Sequence, residues 1–235
     1  MSAPYQVGIV IPAGGRGTRF GGATLKQYLD LAGEPIIVRA LRTALAAKSV
    51  CAVVVAAQKT EFAHLAGLVE IHGIADPRLV LTEGGAERYE SVAKGLVHPA
   101  LDAADVILVH DAVRPLASTS LFDRVAAEAS VHGAVVPTIP VVDTLKRIGS
   151  DGVIIETIDR SVVRRAQTPQ GFRADILRRI YSEALSAGDQ VTDCSSLCER
   201  AGITVHVVEG EERNIKVTSP TDMIVAEALF LQGDS

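Results

Sequence analysis

Tryptophan is absent from this 235-residue chain, and phenylalanine and tyrosine bring the aromatic share to only 4%. A core without large rings has to be filled by Val, Ile, Leu and Ala, which suits β-branched strands packed on alanine-rich helices. No apolar run reaches membrane-spanning length, and the start Met1-Ser2-Ala3-Pro4-Tyr5-Gln6 lacks a charged stretch followed by a long apolar one. The expectation is a cytoplasmic protein with no membrane contact. An excess of basic charge is missing too. The net charge of −5 and pI near 5.7 exclude a broad face for nucleic acid or anionic lipid. Cysteine is scarce and odd in number, three in all, which excludes a disulfide scaffold and fits a reducing compartment. Cys194 and Cys198 lie four apart without a second ligand pair nearby, so they read as packing residues.

What remains is an ordinary globular composition, 48% hydrophobic and 22% charged. At roughly 100–200 residues per domain, one domain over residues 1–235 is expected. Val7 to Ile11 is a short apolar run that ends in Pro12 and a glycine cluster, a buried strand by pattern. Pro35 stands as a first helical residue before the stripe Ile36, Ile37, Ala40, Leu41, Ala44, Leu45. Val50–Val55, Arg78–Leu81, Val106–Val109 and Gly133–Val136 read as further strands, with helical stretches between them. That alternation predicts βαβ units: an α/β, doubly wound, mostly parallel sheet.

The rhythm breaks at Pro137. Val141–Ile148 and Val153–Ile158 flank a turn with Asp151-Gly152, so a hairpin arm is expected as an insertion over about 137–159. Its aliphatic residues, Val141, Val142, Leu145, Ile148, Val153, Ile154, Ile155 and Ile158, are too many for a lone ribbon in water and call for a partner surface. Helices follow at about Ala174–Leu185 and after Thr192-Asp193, then a strand Thr204–Val208. A last helix has Ser219 as N-cap and Pro220 at its first position.

The loop Pro12-Ala13-Gly14-Gly15-Arg16-Gly17-Thr18-Arg19 leaves a buried strand, and its glycines let successive backbone amides converge on an anion. It is not a P-loop, since Gly22 is followed by Ala23 and not by Lys-Ser/Thr. It is not a dinucleotide fingerprint either, because Phe20 stands at the third glycine and the second strand ends in Ala56-Ala57-Gln58 without an acid. Arg19 and Lys26 supply the fixed cations that a triphosphate needs beyond glycine amides. A nicotinamide enzyme is disfavoured by Phe20 and Gln58.

That loop with Lys26, then Gly84-Gly85, Glu87-Arg88, Ser91, His110-Asp111-Ala112-Val113-Arg114-Pro115, Asp143-Thr144-Leu145-Lys146-Arg147, Thr168-Pro169-Gln170 and Asn214-Ile215-Lys216 follow one another over nearly the whole chain. The ordered set resembles the 2-C-methyl-D-erythritol 4-phosphate cytidylyltransferase family, with the ribitol-5-phosphate enzymes as close relatives. Asp143–Arg147 favours the erythritol branch. A nucleotide-binding protein without activity is the rival from another class, opposed by Arg19, Lys26, Arg160 and Lys216 together.

The resemblance implies a Rossmann-like nucleotidyltransferase fold whose arm exchanges between the subunits of a homodimer, with CTP and a polyol phosphate as substrates and Mg²⁺ as cofactor. Arg19 and Lys26 would stabilise charge on the α-phosphate of CTP, and Arg160 and Lys216 would orient the acceptor. CTP would lie against Pro12, Ala13, Gly14, Gly15, Gly17, Gly84, Gly85, Ser91, Asp111 and Ala112. Asp111, Arg114, Thr144, Arg160, Thr168 and Lys216 would hold the polyol phosphate. A phosphate monoester is already mostly dianionic at pH 7, so no general base is needed, and His110 reads as a packed strand-end residue. Asp111, closing a buried strand, holds Mg²⁺ or a hydroxyl, or else caps a helix. Choosing cytosine over uracil requires acceptors facing the amino group, which backbone carbonyls at Gly84 and Gly85 can supply. Three positions depart from the commoner family pattern: Gly14 for Ala, Ala86 for Asp, and Arg213 for a carboxylate.

Overall fold

The computed structural model describes residues 5–14, 25–187 and 193–233. Its strands are β1 (Val7–Pro12), β2 (Asp30–Leu31), β3 (Glu34–Pro35), β4 (Val50–Ala57), β5 (Leu79–Glu83), β6 (Val106–Val109), β7 (Ala134–Pro140), β8 (Leu145–Ile148), β9 (Ile154–Ile158), β10 (Arg164–Ala166), β11 (Gln170–Arg173) and β12 (His206–Glu209). The helices are α1 (Ile36–Ala46), α2 (Phe62–Ile71), α3 (Arg88–Leu96), α4 (Thr119–His132), α5 (Ala174–Ala187), α6 (Cys194–Arg200) and α7 (Pro220–Leu231). No described helix is long and apolar enough to cross a membrane.

The main sheet has eight strands, ordered β5-β4-β1-β6-β11-β7, with β10 and β12 also paired to β7. β1 pairs in parallel with both β4 and β6. β11 runs antiparallel between β6 and β7, and β10 is antiparallel to β7. The α/β, mostly parallel expectation therefore holds, with two antiparallel strands that the sequence pattern does not announce. Alternation along β1 sorts the core into two layers. Val7, Ile9 and Ile11 meet Ile37 and Leu41 of α1 and Phe122 and Val125 of α4, whereas Val10 meets Val92 and Leu96 of α3. Leu177 and Ile180 of α5 and Leu197 of α6 complete that second face.

Pro35 is extended, with φ −57° and ψ 140°, and α1 begins after it. The cause is the small hairpin β2–β3, whose turn carries Ala32 at φ 51° and Gly33 at φ 85°, with the Gly33 amide donating to Asp30 Oδ1 at 2.8 Å. The arm strands β8 and β9 pair antiparallel, but Pro137 to Pro140 still belong to β7, so the arm leaves the sheet after Pro140. Ile154 and Ile155 on it are 58% and 64% exposed. Ser219 caps α7 as expected, in a capping box with Asp222.

One glycine sets where α3 lies. A Cβ at Gly95 would come within 2.6 Å of Val10 Cγ1, so the helix can approach β1 only with a bare α-carbon there. Alanine would add up to about 1 kcal/mol of helix propensity. Overpacking a fully buried strand costs about 1–3 kcal/mol, which wins. Gly95→Ala is expected to lower urea-unfolding stability by about 1–2 kcal/mol; a more stable variant would overturn the close-approach argument.

Candidate active site

The strand order reverses between β1 and β6, and the crevice at their carboxyl ends is where open parallel sheets bind ligands. β1 delivers Pro12, Ala13 and Gly14 there. The Ala13 amide donates to Ala56 O at 2.8 Å, and buried Gln27 donates its Nε2 to Ala13 O at 2.8 Å, which fixes the strand exit. Beside it, Gly84 and Gly85 are held from three sides. Lys94 Nζ donates to Gly84 O at 2.8 Å, Gln58 Nε2 donates to Gly85 O at 2.8 Å, and the Gly85 amide donates to Ser91 Oγ at 3.0 Å. A Cβ would meet Ser91 Oγ at 2.9 Å from Gly84, and Glu90 Cβ at 2.2 Å from Gly85. Each of the two carbonyls keeps a second lone pair.

β6 delivers His110 and Asp111. The Asp111 side chain is 8% exposed, yet three cations surround it. Oδ1 accepts from Arg88 Nε at 2.9 Å with Arg88 NH2 also 2.9 Å away, Oδ2 lies 2.8 Å from Lys216 Nζ, and Arg114 Nε stands 3.9 Å from Oδ2. Burial by itself would raise the Asp111 pKa; Arg88, Lys216 and Arg114 outweigh it and hold the carboxyl well below the usual range. Burial likewise pulls Arg114 down from its ordinary value.

Behind the charges lies a neutral network. His110 Nε2 sits 3.2 Å from the Arg114 carbonyl, which can only accept, so Nε2 carries the proton. Nδ1 then accepts from the Thr168 hydroxyl at 3.1 Å, and that hydroxyl accepts the Asp111 amide at 3.0 Å. Fully buried Asn214 donates to Thr168 O at 2.8 Å and receives Arg114 NH1 on its carbonyl at 2.7 Å.

Of the residues the sequence singled out, Pro12, Ala13, Gly14, Lys26, Ser91, Asp111, Ala112 and Lys216 line one pocket, together with Gln27, Arg88 and Val113. Arg114 and Thr168 lie just behind Asp111. Thr144 and Arg160 are exposed on the arm and its base, away from this pocket lining. Gly15, Gly17 and Arg19 lie outside the described residues. The departures at 86 and 213 are accommodated locally. Glu90 Oε2 accepts the amides of Ala86 and Glu87 at 2.7 and 3.2 Å, so a carboxylate still serves that turn. Arg213 turns away and donates to Leu229 O and Gly233 O at 2.9 and 2.8 Å, a cation on the carboxyl end of α7. At Gly14 a Cβ would meet Gln58 Nε2 at 3.2 Å and Ser91 Oγ at 3.3 Å, a tight fit that glycine relieves.

Sequence reasoning missed Gln27 and gave Gln58, Asn214 and Arg88, which it named only within motifs or strand ends, no role. Gln58 carried a signal, since it follows the end of the strand beside the crevice. So did Arg88, a cation at a helix amino end where the dipole disfavours it.

Backbone amides and cations gathered where parallel strands end suit a polyphosphate chain, and a sheet of this order with this mouth places the chain among the α/β nucleotidyltransferases. Comparison with known proteins narrows the class. The family model "IspD: 2-C-methyl-D-erythritol 4-phosphate cytidylyltransferase" matches residues 7–232. A 2-C-methyl-D-erythritol 4-phosphate cytidylyltransferase from a Synechococcus strain is 40% identical over 224 residues, covering 95% of this chain and 96% of that one. The solved synthase from Anaerococcus prevotii superposes with a TM-score of 0.84 at 29% identity, covering 97% of each chain. The Thermus thermophilus cytidylyltransferase does so at 0.75 and 33%, covering 95% of this chain and 98% of its own. This chain belongs to the 2-C-methyl-D-erythritol 4-phosphate cytidylyltransferase family.

His110 gives the site a measurable signature. Burial lowers its pKa from 6.5 to about 4 against the opposing pull of Asp111. As pH falls from 6.5 toward 4 the unfolded chain takes up a proton that the folded chain refuses, so stability falls. The drop should reach about 3 kcal/mol from this group, and below pH 4 Asp111 adds its own loss as its ion pairs are protonated away. Urea unfolding at pH 7 and pH 4 is expected to show a smaller pH difference for His110→Gln than for wild type; equal differences would contradict the neutral, buried imidazole.

Proposed function

We propose that this chain transfers CMP from CTP to 2-C-methyl-D-erythritol 4-phosphate, giving 4-diphosphocytidyl-2-C-methyl-D-erythritol and pyrophosphate, a step of nonmevalonate isoprenoid precursor synthesis. The observation that carries the reading is the convergence of four separate stretches, Pro12–Gly14, Lys26, Asp111 and Lys216, on one pocket at the switch point of the sheet. Membership of the family and the relatives' names support the same substrates.

In this reading a phosphate oxygen of the acceptor attacks the α-phosphorus of CTP, and the bond from that phosphorus to the oxygen bridging the β-phosphate breaks. Pyrophosphate leaves with the electron pair. The acceptor's second pKa is near 6, so the nucleophile arrives already ionised. Positioning and charge stabilisation then supply the catalysis. Lys26 and Arg19 take up charge at the α-phosphate, aided by the backbone amides of Gly14, Gly15 and Gly17, while Pro12 and Ala13 form the wall of the strand exit. Lys216 and Arg160 orient the acceptor with Arg114 and Thr144, and Thr168 serves through Asp111, whose amide its hydroxyl accepts. Gly84, Gly85 and Ser91 face the base, and Ala112 closes the floor.

The donor set fits Mg²⁺, which takes few protein ligands and keeps phosphate and water oxygens. Arg88 fills Oδ1 of Asp111, whereas Oδ2 has, among the described residues, Lys216 alone within hydrogen-bonding distance and retains a lone pair for a metal. When bound, the ion would neutralise charge on the phosphates. Free thiols at Cys51, Cys194 and Cys198 are in keeping with a cytoplasmic enzyme.

The defining test is pyrophosphate release from CTP with a panel of polyol phosphates. Methylerythritol phosphate is expected to give the highest kcat/KM, and a higher value with ribitol 5-phosphate would reassign the chain to its relatives.

The apolar, exposed arm supports a homodimer in which each arm completes the other subunit's site. Lys26→Ala and Arg160→Ala are each expected to lose about 100- to 1,000-fold in kcat. Refolded together, random pairing should give mixed dimers with one intact site and restore about a quarter of wild-type activity. No recovery in mixed dimers shown to form would exclude the exchanged arm.

A further inference from the structure

Arg88 opens α3, where the helix dipole disfavours a cation. Its acidic neighbours do not compensate it, because Glu87 and Glu90 spend their carboxylates on the capping box and on the amides of Ala86 and Glu87. The guanidinium instead reaches Asp111 on β6, presenting Nε and NH2 to the single oxygen Oδ1, both at 2.9 Å. Its far side meets no counter-charge among the described residues. NH1 lies 4.0 Å from Cys194 Sγ, itself 3.1 Å from the Tyr181 hydroxyl, and burial keeps thiol and phenol protonated.

Among the described residues, Arg114 Nε is buried without a hydrogen-bond partner, 3.9 Å from Asp111 Oδ2. A carboxylate free to turn would close on that waiting donor and carry Lys216, 2.8 Å from the same oxygen, along with it. Arg88 resists the turn, since two donors of one rigid fork pin Oδ1 in place more tightly than a single ammonium donor can.

We propose that Arg88 is a positioning residue of the transfer, which acts through Asp111 by holding Oδ2 toward Lys216 and the pocket and away from Arg114. The proposal rests on the reading that Asp111 and Lys216 serve the reaction.

The test is a double-mutant cycle on kcat and on both KM values with the full-length enzyme, using Arg88→Gln, Arg88→Lys, Asp111→Asn and the Gln/Asn double variant. Arg88→Gln is expected to lower kcat about 10- to 100-fold, as loss of a supporting contact does. KM for CTP should change little. Arg88→Lys, which keeps the charge and the fold but not the fork, should recover only part of the loss. In the Asp111→Asn background Arg88→Gln should cost less than about twofold, because its only route of action is already gone. An equal cost in both backgrounds, falling on KM for CTP, would make Arg88 a direct phosphate ligand and overturn the proposal. So would a lowered melting temperature with unchanged kcat, or full rescue by lysine. Wild-type kcat in Asp111→Asn alone would remove the underlying reading instead, an outcome distinct from failure of the cycle.

Discussion

A pocket for phosphate transfer must gather like charges, and in the empty protein those charges repel. Asp111 makes the gathering tolerable. It stands between Arg88, Arg114 and Lys216, each from a different part of the chain, and gives all three one neighbour of opposite sign. Such a buried group adds little net stability compared with an apolar packing of the same volume. Its value lies in register: the end of β6, the start of α3 and the segment after Asn214 can meet in only one way if the ion pairs are to close.

The charged front depends on an uncharged back. Thr168 and His110 contribute no charge, but each fixes a backbone group of a charged residue, the amide of Asp111 and the carbonyl of Arg114, and Asn214 in turn fixes the carbonyl of Thr168. On the other wall, Gln58, Lys94 and Ser91 fix the Gly84-Gly85 peptides in the same manner. Preorganisation here is thus a property of backbone positions held from behind, and the side chains that face the pocket inherit it.

How much of this could be read in advance follows from the range of the interactions. Strands such as β1, β4 and β6 announce themselves by local apolar runs, and α7 by its Ser219-Pro220 start. β11 does not, because Gln170-Gly171-Phe172-Arg173 has no alternation of its own and is a strand only by lying between β6 and β7. Lys26, Asp111 and Lys216 were legible as charges beside glycines, strand ends and motifs. The Arg88 fork was not, since its meaning depends on a partner that no local pattern points to. Gln58 was noticed only as a missing acid, although its amide holds Gly85.

The separation along the chain of the parts that close the site has a consequence for synthesis. Arg114 and Asn214, a hundred residues apart, hold one another through NH1 and a carbonyl, and Lys216 lies just beyond. Domains generally fold as units. Asp111 therefore meets its last cation only when nearly all the strands of the sheet have been made. The pocket's last cation and the core residues Val217 and Ala226 arrive together, so closing the mouth and closing that part of the core are one event.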